Sequence, residues 1–392
     1  MKIALVHDQL KEFGGAERVL VALTKIFPTA DIYTAFYDEE TLKKRAPEYK
    51  DWKLFGSWFH KMPKFIKKLY SPLRFLAPLI WESFDFSTYD LVISSSGWYM
   101  SKGIITKPHT LHICYLHHQP RYLYYYETAV EWQKYFFVKI YAHLINHRLR
   151  IWDYISSQRP DFFLANSEET KKRIEKFYRR DATIIYPPVS MPKRVGTWNV
   201  ERGTKGYYIT VSRLTRAKHI DLLIKAANKQ KFHLKIVGDG RDKENLQKLA
   251  GPTVEFLTNV TDHELAGLYS HAKAFLFAAI DEEFGISPVE AMGRGVPVIA
   301  YADGGLKETV QNGVNGYLFA NLTERSILDT ISLFEKLTSE KYLEMRKSAR
   351  RLAENYSEEK FKERVLEFVQ KYARTTRSRN ITPRAEKISY WT

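Results

Sequence analysis

The sequence lacks the features that would place it in several large classes of protein. It has one cysteine, Cys114, in 392 residues. No disulfide can form within the chain, and a reducing compartment is the expectation. Apolar stretches such as Phe75–Trp81 and Lys273–Ile280 stay under ten residues, against the ~20 that a membrane-spanning helix needs. The opening run Met1–Asp8 turns polar too quickly for a signal peptide and reads as a first strand. The turn after it carries Gly14-Gly15 but not G-x-G-x-x-G, so a dinucleotide fingerprint is not supported. No helix-turn-helix, zinc or RNA-binding signature accompanies the basic charge, so nucleic acid is not an expected partner. Hydrophobic residues at 44% and charged residues at 27% exclude a mainly disordered, collagen-like or coiled-coil chain.

What is there begins with charge. Sixty-one basic residues face 45 acidic ones, a net +16. Residues 53–74 hold Lys53, Lys61, Lys64, Lys67, Lys68 and Arg74 and no acid. Trp58, Phe59, Phe65, Ile66, Leu69, Tyr70 and Leu73 are interleaved among them. This pattern suits contact with an anionic membrane surface, with apolar side chains in the interface and lysines at the headgroups. It equally suits a helix packed in its own domain with a solvated basic face. Pro63 and Pro72 confine any helix there to Lys64–Ser71. A second basic cluster starts at Lys371.

The length suggests two or three domains. Strand and helix patterns alternate from the start. Lys2–His7 is a buried-strand run, and Val19, Leu20, Leu23, Ile26 and Phe27 form a helical stripe. Further strands are expected at Leu91–Ser95, Leu111–Leu116, Phe162–Ala165 and Thr183–Tyr186, with a helical aromatic stretch over 120–155. Tyr186-Pro187-Pro188-Val189 breaks the pattern. The second half alternates more regularly, with strands at Tyr207–Val211, Phe232–Val237, Val254–Leu257, Ala274–Ala279, Pro297–Tyr301 and Gly316–Phe319. Thr261-Asp262-His263-Glu264 is a capping box, Ser287-Pro288 an N-cap with proline at N1, and Leu306–Gln311 a helix. Such alternation predicts parallel sheets covered on both faces, hence two doubly wound α/β domains facing a cleft. The expected divisions are a first domain 1–190, a second domain 191–355, a helix 356–373 packing back on the first domain, and a flexible basic tail 374–392.

Four motifs fall on turns that follow strands, where open α/β sheets bind ligands. In Glu282-Glu283-Phe284-Gly285-Ile286-Ser287-Pro288-Val289-Glu290, two carboxylates flank a helix start. Free N–H groups there attract phosphate, and a carboxylate beside them can hold sugar hydroxyls. In Ser212-Arg213-Leu214-Thr215-Arg216-Ala217-Lys218, cations follow a strand and could neutralise a diphosphate without metal. Gly14-Gly15 lets backbone approach a ligand closely. In His117-His118-Gln119-Pro120-Arg121-Tyr122, a histidine could orient substrate, act as a base or bind metal. No Asp/His partner stands at metal-ligand spacing, which argues against the last.

Together these motifs resemble the family-4 retaining glycosyltransferases of the GT-B fold, over nearly the whole chain to about residue 370. Glu282 and Glu290 match that family's E-x7-E element, and Arg213 with Lys218 its diphosphate-binding pair. The resemblance implies that Glu290 binds ribose and Glu282 a donor-sugar hydroxyl. Phe284, Gly285 and Ile286 would line the sugar and phosphate site. Val260 and Asp262 would lie by the nucleobase and ribose, and Gly14-Gly15 near the diphosphate and acceptor. The His117–Tyr122 run looks like the H-x-P-x-R-Y form of a mannosyltransferase-like branch, with Arg121 beside the substrate. Counting back from Arg121 gives His117 the catalytic-histidine place; the displaced Pro120 leaves His118 as the alternative. Glu283 departs from the usual small residue or proline after the first glutamate.

The implied activity is hexose transfer from a nucleotide diphosphate sugar, best matched by GDP-mannose, to a hydroxyl of a glycan or lipid-linked acceptor. It would serve cell-envelope polysaccharide or glycolipid synthesis. Configuration would be retained, the leaving phosphate taking the acceptor proton, with no metal and no resident cofactor. The alternative is a non-catalytic sugar-nucleotide-binding subunit of a glycan-assembly complex. The expected location is cytoplasmic, peripheral at the inner membrane face.

Overall fold

The computed structural model describes residues 1–128, 136–192 and 206–381. These form two sheets in which every strand pairing is parallel. The first sheet comprises β1 (Ile3–His7), β2 (Asp31–Thr34), β3 (Lys53–Gly56), β4 (Leu91–Ser96), β5 (Leu111–Leu116), β6 (Phe162–Ala165) and β7 (Ala182–Ile184). Their order is β3-β2-β1-β4-β5-β6-β7. The second comprises β8 (Tyr207–Val211), β9 (Leu234–Val237), β10 (Val254–Leu257), β11 (Ala272–Phe277), β12 (Val298–Tyr301) and β13 (Gly316–Phe319), ordered β10-β9-β8-β11-β12-β13. β4 and β5 are buried at every position, as strands covered by helices on both faces must be. The expected pair of doubly wound α/β domains is therefore what the chain forms.

The helix Gly15–Ile26 buries Val19, Leu20 and Leu23 against the first sheet. The C-terminal helix Glu358–Ile381 crosses back from the second domain and adds Phe361, Val365, Phe368 and Val369 to that same core. Strand order reverses at β1/β4 in the first sheet and at β8/β11 in the second. Loops leaving the carboxyl ends at those two points form the crevice where such sheets bind ligands.

Several local expectations need correction. The helix at 286 is capped by Gly285, not Ser287, and Pro288 is its third residue. Gly285 adopts φ 83°, which a side chain would resist, so the chain turns into the helix earlier than its serine. Pro288 costs nothing there, because first-turn N–H groups have no helical partner anyway. The aromatic stretch 120–155 is not one helix. It contains a single turn at Arg121–Leu123 and a helix over Phe136–Ser156, and residues 129–135 lie outside the described residues. The basic segment 53–74 is strand β3, then short turns around a helix limited to Lys64–Lys68. The helix at 306 stops at Thr309. The C-terminal helix runs beyond residue 373 to Ile381, into the stretch expected to be tail; residues 382–392 lie outside the described residues. Residues 193–205, where the expected domain boundary continues, lie outside as well.

Candidate active site

The second domain's half of the cleft is built from charge pairs. β8 ends at Val211 and leads to the turn Arg216–Lys218, where the Lys218 ammonium donates to the Glu282 carboxylate on the loop after β11. The two loops are tied by the Ile280 N–H to the Ala217 carbonyl, 3.0 Å. Glu282 is held from beneath by a glycine turn. The Gly305 N–H donates to the Glu282 carbonyl at 2.9 Å. At Gly304, φ 50°, a Cβ would stand 2.0 Å from that same carbonyl oxygen. Only glycine permits this approach.

Glu290 is buried and accepts from the guanidinium of Arg18, on the first helix of the opposite domain. Ile286 meets Gly15 there; a Cβ on Gly15 would lie 2.7 Å from Ile286 Cδ1. The structure thus brings Gly14–Gly15, Ile286 and Glu290 together across the cleft. Phe284 is buried between Tyr186 and Tyr356, ring centroids 5.7 and 5.2 Å away. It anchors the loop rather than facing open space. Arg213 stands apart from Lys218. It is 74% exposed and reaches Glu12 of the first domain at 3.2 Å. Val260 is half-buried after β10. Asp262 opens the helix Asp262–Ser270, and its side chain lies outside the described residues.

The first domain's half centres on two histidines after β5. His117 follows β5 and is buried, its Nε2 2.7 Å from Ser95 Oγ. Burial, then the nearby imidazoles of His7 and His118, push its pKa well below the ordinary value. His118 places Nδ1 2.8 Å from the Gln119 carbonyl and its ring beside Gly97. Burial lowers its pKa too. Asp8, after β1, accepts from the N–H groups of Gly97, Tyr99 and Ser101 at 2.8–2.9 Å, and so fixes the loop after β4.

Arg121 does not stand open to a ligand. Its Nε and Nη2 donate to Glu283 at 3.1 and 2.6 Å, and Nη2 also reaches the Asp281 carbonyl at 2.7 Å. Arg173, from the helix Glu168–Tyr178, donates to the same Glu283 at 3.0 Å. Burial alone would raise the Glu283 pKa. The guanidiniums of Arg121 and Arg173, with His118, outweigh it and hold the carboxyl at about 2. The unusual second glutamate is thus a clamp between domains. A second carboxylate crosses the cleft differently. Glu308 accepts from the N–H groups of Glu168 and Glu169 at 2.9 and 3.1 Å, at a helix start. Burial raises its pKa.

Sequence reasoning missed Arg18, Arg173, Glu308 and the Gly304–Gly305 turn. Arg18 was within reach, since it follows Gly14-Gly15-Ala16-Glu17 on the first helical turn. The glycine pair after β12 had the same strand-then-glycine signature as Gly14-Gly15. Arg173 and Glu308 carried no local signal.

Two doubly wound α/β domains facing one cleft are the GT-B architecture of sugar-transferring enzymes. Residues 13–191 match the family described as Glycosyltransferase Family 4, and residues 198–375 the one described as Glycosyl transferases group 1. The chain belongs to these group 1, family-4 glycosyltransferases. The human alpha-1,3/1,6-mannosyltransferase is 27% identical over 248 residues, 54% of this chain and 58% of that protein. The GtfA subunit of the Streptococcus pneumoniae UDP-N-acetylglucosamine–peptide N-acetylglucosaminyltransferase is 28% identical over 186 residues, 44% of this chain and 37% of that protein. Both matches span less than two thirds of the relative's length. HepE of Anabaena, crystallised with UDP and glucose, shares the fold at TM-score 0.66 and 19% identity, over 94% of this chain and 99% of that one.

Proposed function

We propose that this chain transfers a hexose from a nucleotide diphosphate sugar to a hydroxyl of a glycan or lipid-linked acceptor, with retention and without metal. The observation that carries the reading is the placement of Ile286 and Glu290 against Gly15 and Arg18 across one cleft, with Lys218 tied to Glu282 on the loop leading into Ile286. Lys218 and the N–H groups at 285–287 would meet the diphosphate, Glu290 the ribose once Arg18 releases it, and Glu282 a sugar hydroxyl. Arg213 would swing from Glu12 to the leaving phosphate. The protein's work is positioning and charge stabilisation. Mannose from GDP-mannose is the donor we favour, on the His117–Tyr122 run and the likeness to a mannosyltransferase. HepE was crystallised with UDP, so the base needs a direct test. Calorimetry and thermal shift with GDP, UDP, ADP and their common sugar conjugates provide it. Selective binding of GDP and GDP-mannose supports the full reading. Selective UDP binding replaces the donor, and no binding by a folded sample leaves only a non-catalytic role.

We propose further that the acceptor side docks on an anionic membrane. Phe65 and Leu69 of the basic segment are exposed, Phe65 by 68%. The helix Phe136–Ser156 also exposes Phe136, Phe137, Leu144 and Ile151. Arg74 joins the two elements through Asn146 Oδ1 at 3.0 Å. No helix among the described residues is long and apolar enough to cross a membrane, so the contact would be at the surface. Co-sedimentation with phosphatidylglycerol vesicles but not with phosphatidylcholine vesicles is expected; equal recovery with both would reject it.

A further inference from the structure

Beneath the cleft, the first sheet carries a chain of polar groups that the chemistry above leaves unused. His7 ends β1, and Ser95 is its register partner on β4. Ser95 Oγ lies 2.9 Å from His7 Nδ1 and 2.7 Å from His117 Nε2. His7 Nε2 faces Glu17 Oε1 at 3.6 Å. Glu17 Oε2 accepts from the Gly14 N–H at 2.7 Å. All four side chains are buried. These groups line up from the glycine turn to His117, with one wider step of 3.6 Å between His7 and Glu17.

Proton counting gives this path a direction. A hydroxyl has one proton, so Ser95, set between two ring nitrogens, must donate to one and accept from the other. The carboxylate decides which. Burial opposes the Glu17 charge, but hydrogen bonding at His7 and at the Gly14 N–H outweighs it and keeps the carboxyl below its ordinary range. An ionised carboxylate cannot face a bare nitrogen, so His7 carries its proton on Nε2. As a neutral imidazole with its one proton on Nε2, His7 leaves Nδ1 bare to accept from the Ser95 hydroxyl. Ser95 Oγ then accepts from His117 Nε2–H. His117 Nδ1 is left bare, and it makes no hydrogen bond among the described residues. Glu283 of the opposite domain acts on the charge of His117, so the ring lies within electrostatic reach of the cleft's other wall.

We propose that Glu17, His7 and Ser95 are positioning residues that fix His117 as its Nε2–H tautomer, so that Nδ1 accepts a hydrogen bond from a hydroxyl of the bound sugar. The sugar rests on the transferase reading above; the tautomer does not. Such a bare nitrogen rewards a ligand hydroxyl and gives nothing to a ligand acceptor, so the relay would also select what enters. Because Glu17 holds the Gly14 N–H as well, the turn that meets the diphosphate and the histidine that meets the sugar are set by one carboxylate.

Long-range ¹H–¹⁵N correlation on the full chain, labelled with ¹⁵N-histidine and free of ligand, reads each ring nitrogen directly. His117 signals are identified by their loss in His117→Gln. A protonated Nε2 and a bare Nδ1 are expected, giving way to mixed tautomers in Ser95→Ala. A protonated Nδ1 in the wild type, or an unchanged pattern in Ser95→Ala, would overturn the relay. Hydrolysis of GDP-mannose and UDP-glucose gives the second readout. For whichever is turned over, Ser95→Ala should lower kcat about tenfold, the scale of one lost hydrogen bond, with KM within about twofold. Ser95→Thr, which keeps the hydroxyl, should restore most of it. Unchanged kcat in Ser95→Ala would reject positioning. Turnover of neither sugar nucleotide by the wild type removes the sugar partner and the transferase reading, while the spectrum still decides the tautomer.

Discussion

The two sheets meet their common cleft in opposite chemical states. The first brings buried groups joined by hydrogen bonds: His117, Ser95 and His7. The second brings carboxylates already paired: Glu282 with its own Lys218, and Glu290 and Glu283 with Arg18, Arg121 and Arg173 reaching across from the first domain. Neutral nitrogens and hydroxyls can sort sugar hydroxyls. Fixed ions can hold a diphosphate and steady the charge that grows on it. On the function proposed above, one fold used twice would divide recognition of the transferred group from stabilisation of the leaving group. The contrast also predicts that lesions on the charged side cost more than lesions on the histidine side.

The largest effect is expected at Lys218. If the charged half steadies the leaving phosphate, Lys218→Ala should lower turnover about 10²–10³-fold, the usual scale for one preorganised donor. The side chain is about one-fifth exposed, 19%, so the melting temperature should move by only a few degrees, roughly. Turnover within about threefold of wild type would break the comparison at its centre.

Glu283 sharpens it by separating closure from chemistry. Glu283→Gln leaves Arg121 and Arg173 facing an uncharged amide. Breaking a buried pair of this kind costs about 3 kcal/mol or more, felt here as loosened contact between domains. Small-angle scattering should report a larger radius for the variant. Acid should do the same to the wild type, with a sign that identifies the group. The Glu283 carboxyl is held at about 2 against an ordinary 4.5. Its stabilisation is therefore complete above 4.5 and is lost as pH falls toward 2. Glu308 runs the other way. Burial raises its pKa, so its contribution is fullest below the ordinary carboxyl value and declines as pH rises through the raised one. Opening between pH 4.5 and 2 that persists unchanged in Glu283→Gln would remove Glu283 as the clamp.

How far the site was legible depended on where its parts lie in the chain. The parallel sheets, the cleft and each turn bearing Gly14, His117, Lys218, Glu282 and Glu290 follow from local patterns, because each turn sits between its own strand and helix. The pairings did not, because they join distant residues. Nothing near Arg121 announces Glu283, 162 positions on. Ser95 and His7 looked like ordinary strand ends until β1 and β4 became neighbours in register. The cap at Gly285 was misread because Ser-Pro is a strong local signal; the left-handed turn that overrides it falls on a glycine where a Cβ would stand 3.2 Å from Leu306 of a distant helix.

The smallest effect on stability is expected at Arg213, and it tests whether the charged half is one unit. Lys218 and Arg213 follow the same strand, yet only Lys218 is tied into the site. Arg213 is 74% exposed, and its partner Glu12 is 55% exposed. Such a pair contributes under about 1 kcal/mol in water, so Arg213→Ala should leave unfolding nearly unchanged. Its effect on catalysis should be larger than its effect on stability, because a guanidinium that swings onto a diphosphate gains a bidentate, charge-assisted contact that it lacks at the surface. We expect turnover to fall about tenfold, less than for Lys218→Ala, since reordering a long side chain offsets part of that gain. Glu12→Ala should leave turnover near wild type, because it removes only the resting partner. Equal losses in Arg213→Ala and Glu12→Ala would instead make their contact a hinge between the domains, and the diphosphate would rest on Lys218 and the 285–287 N–H groups alone.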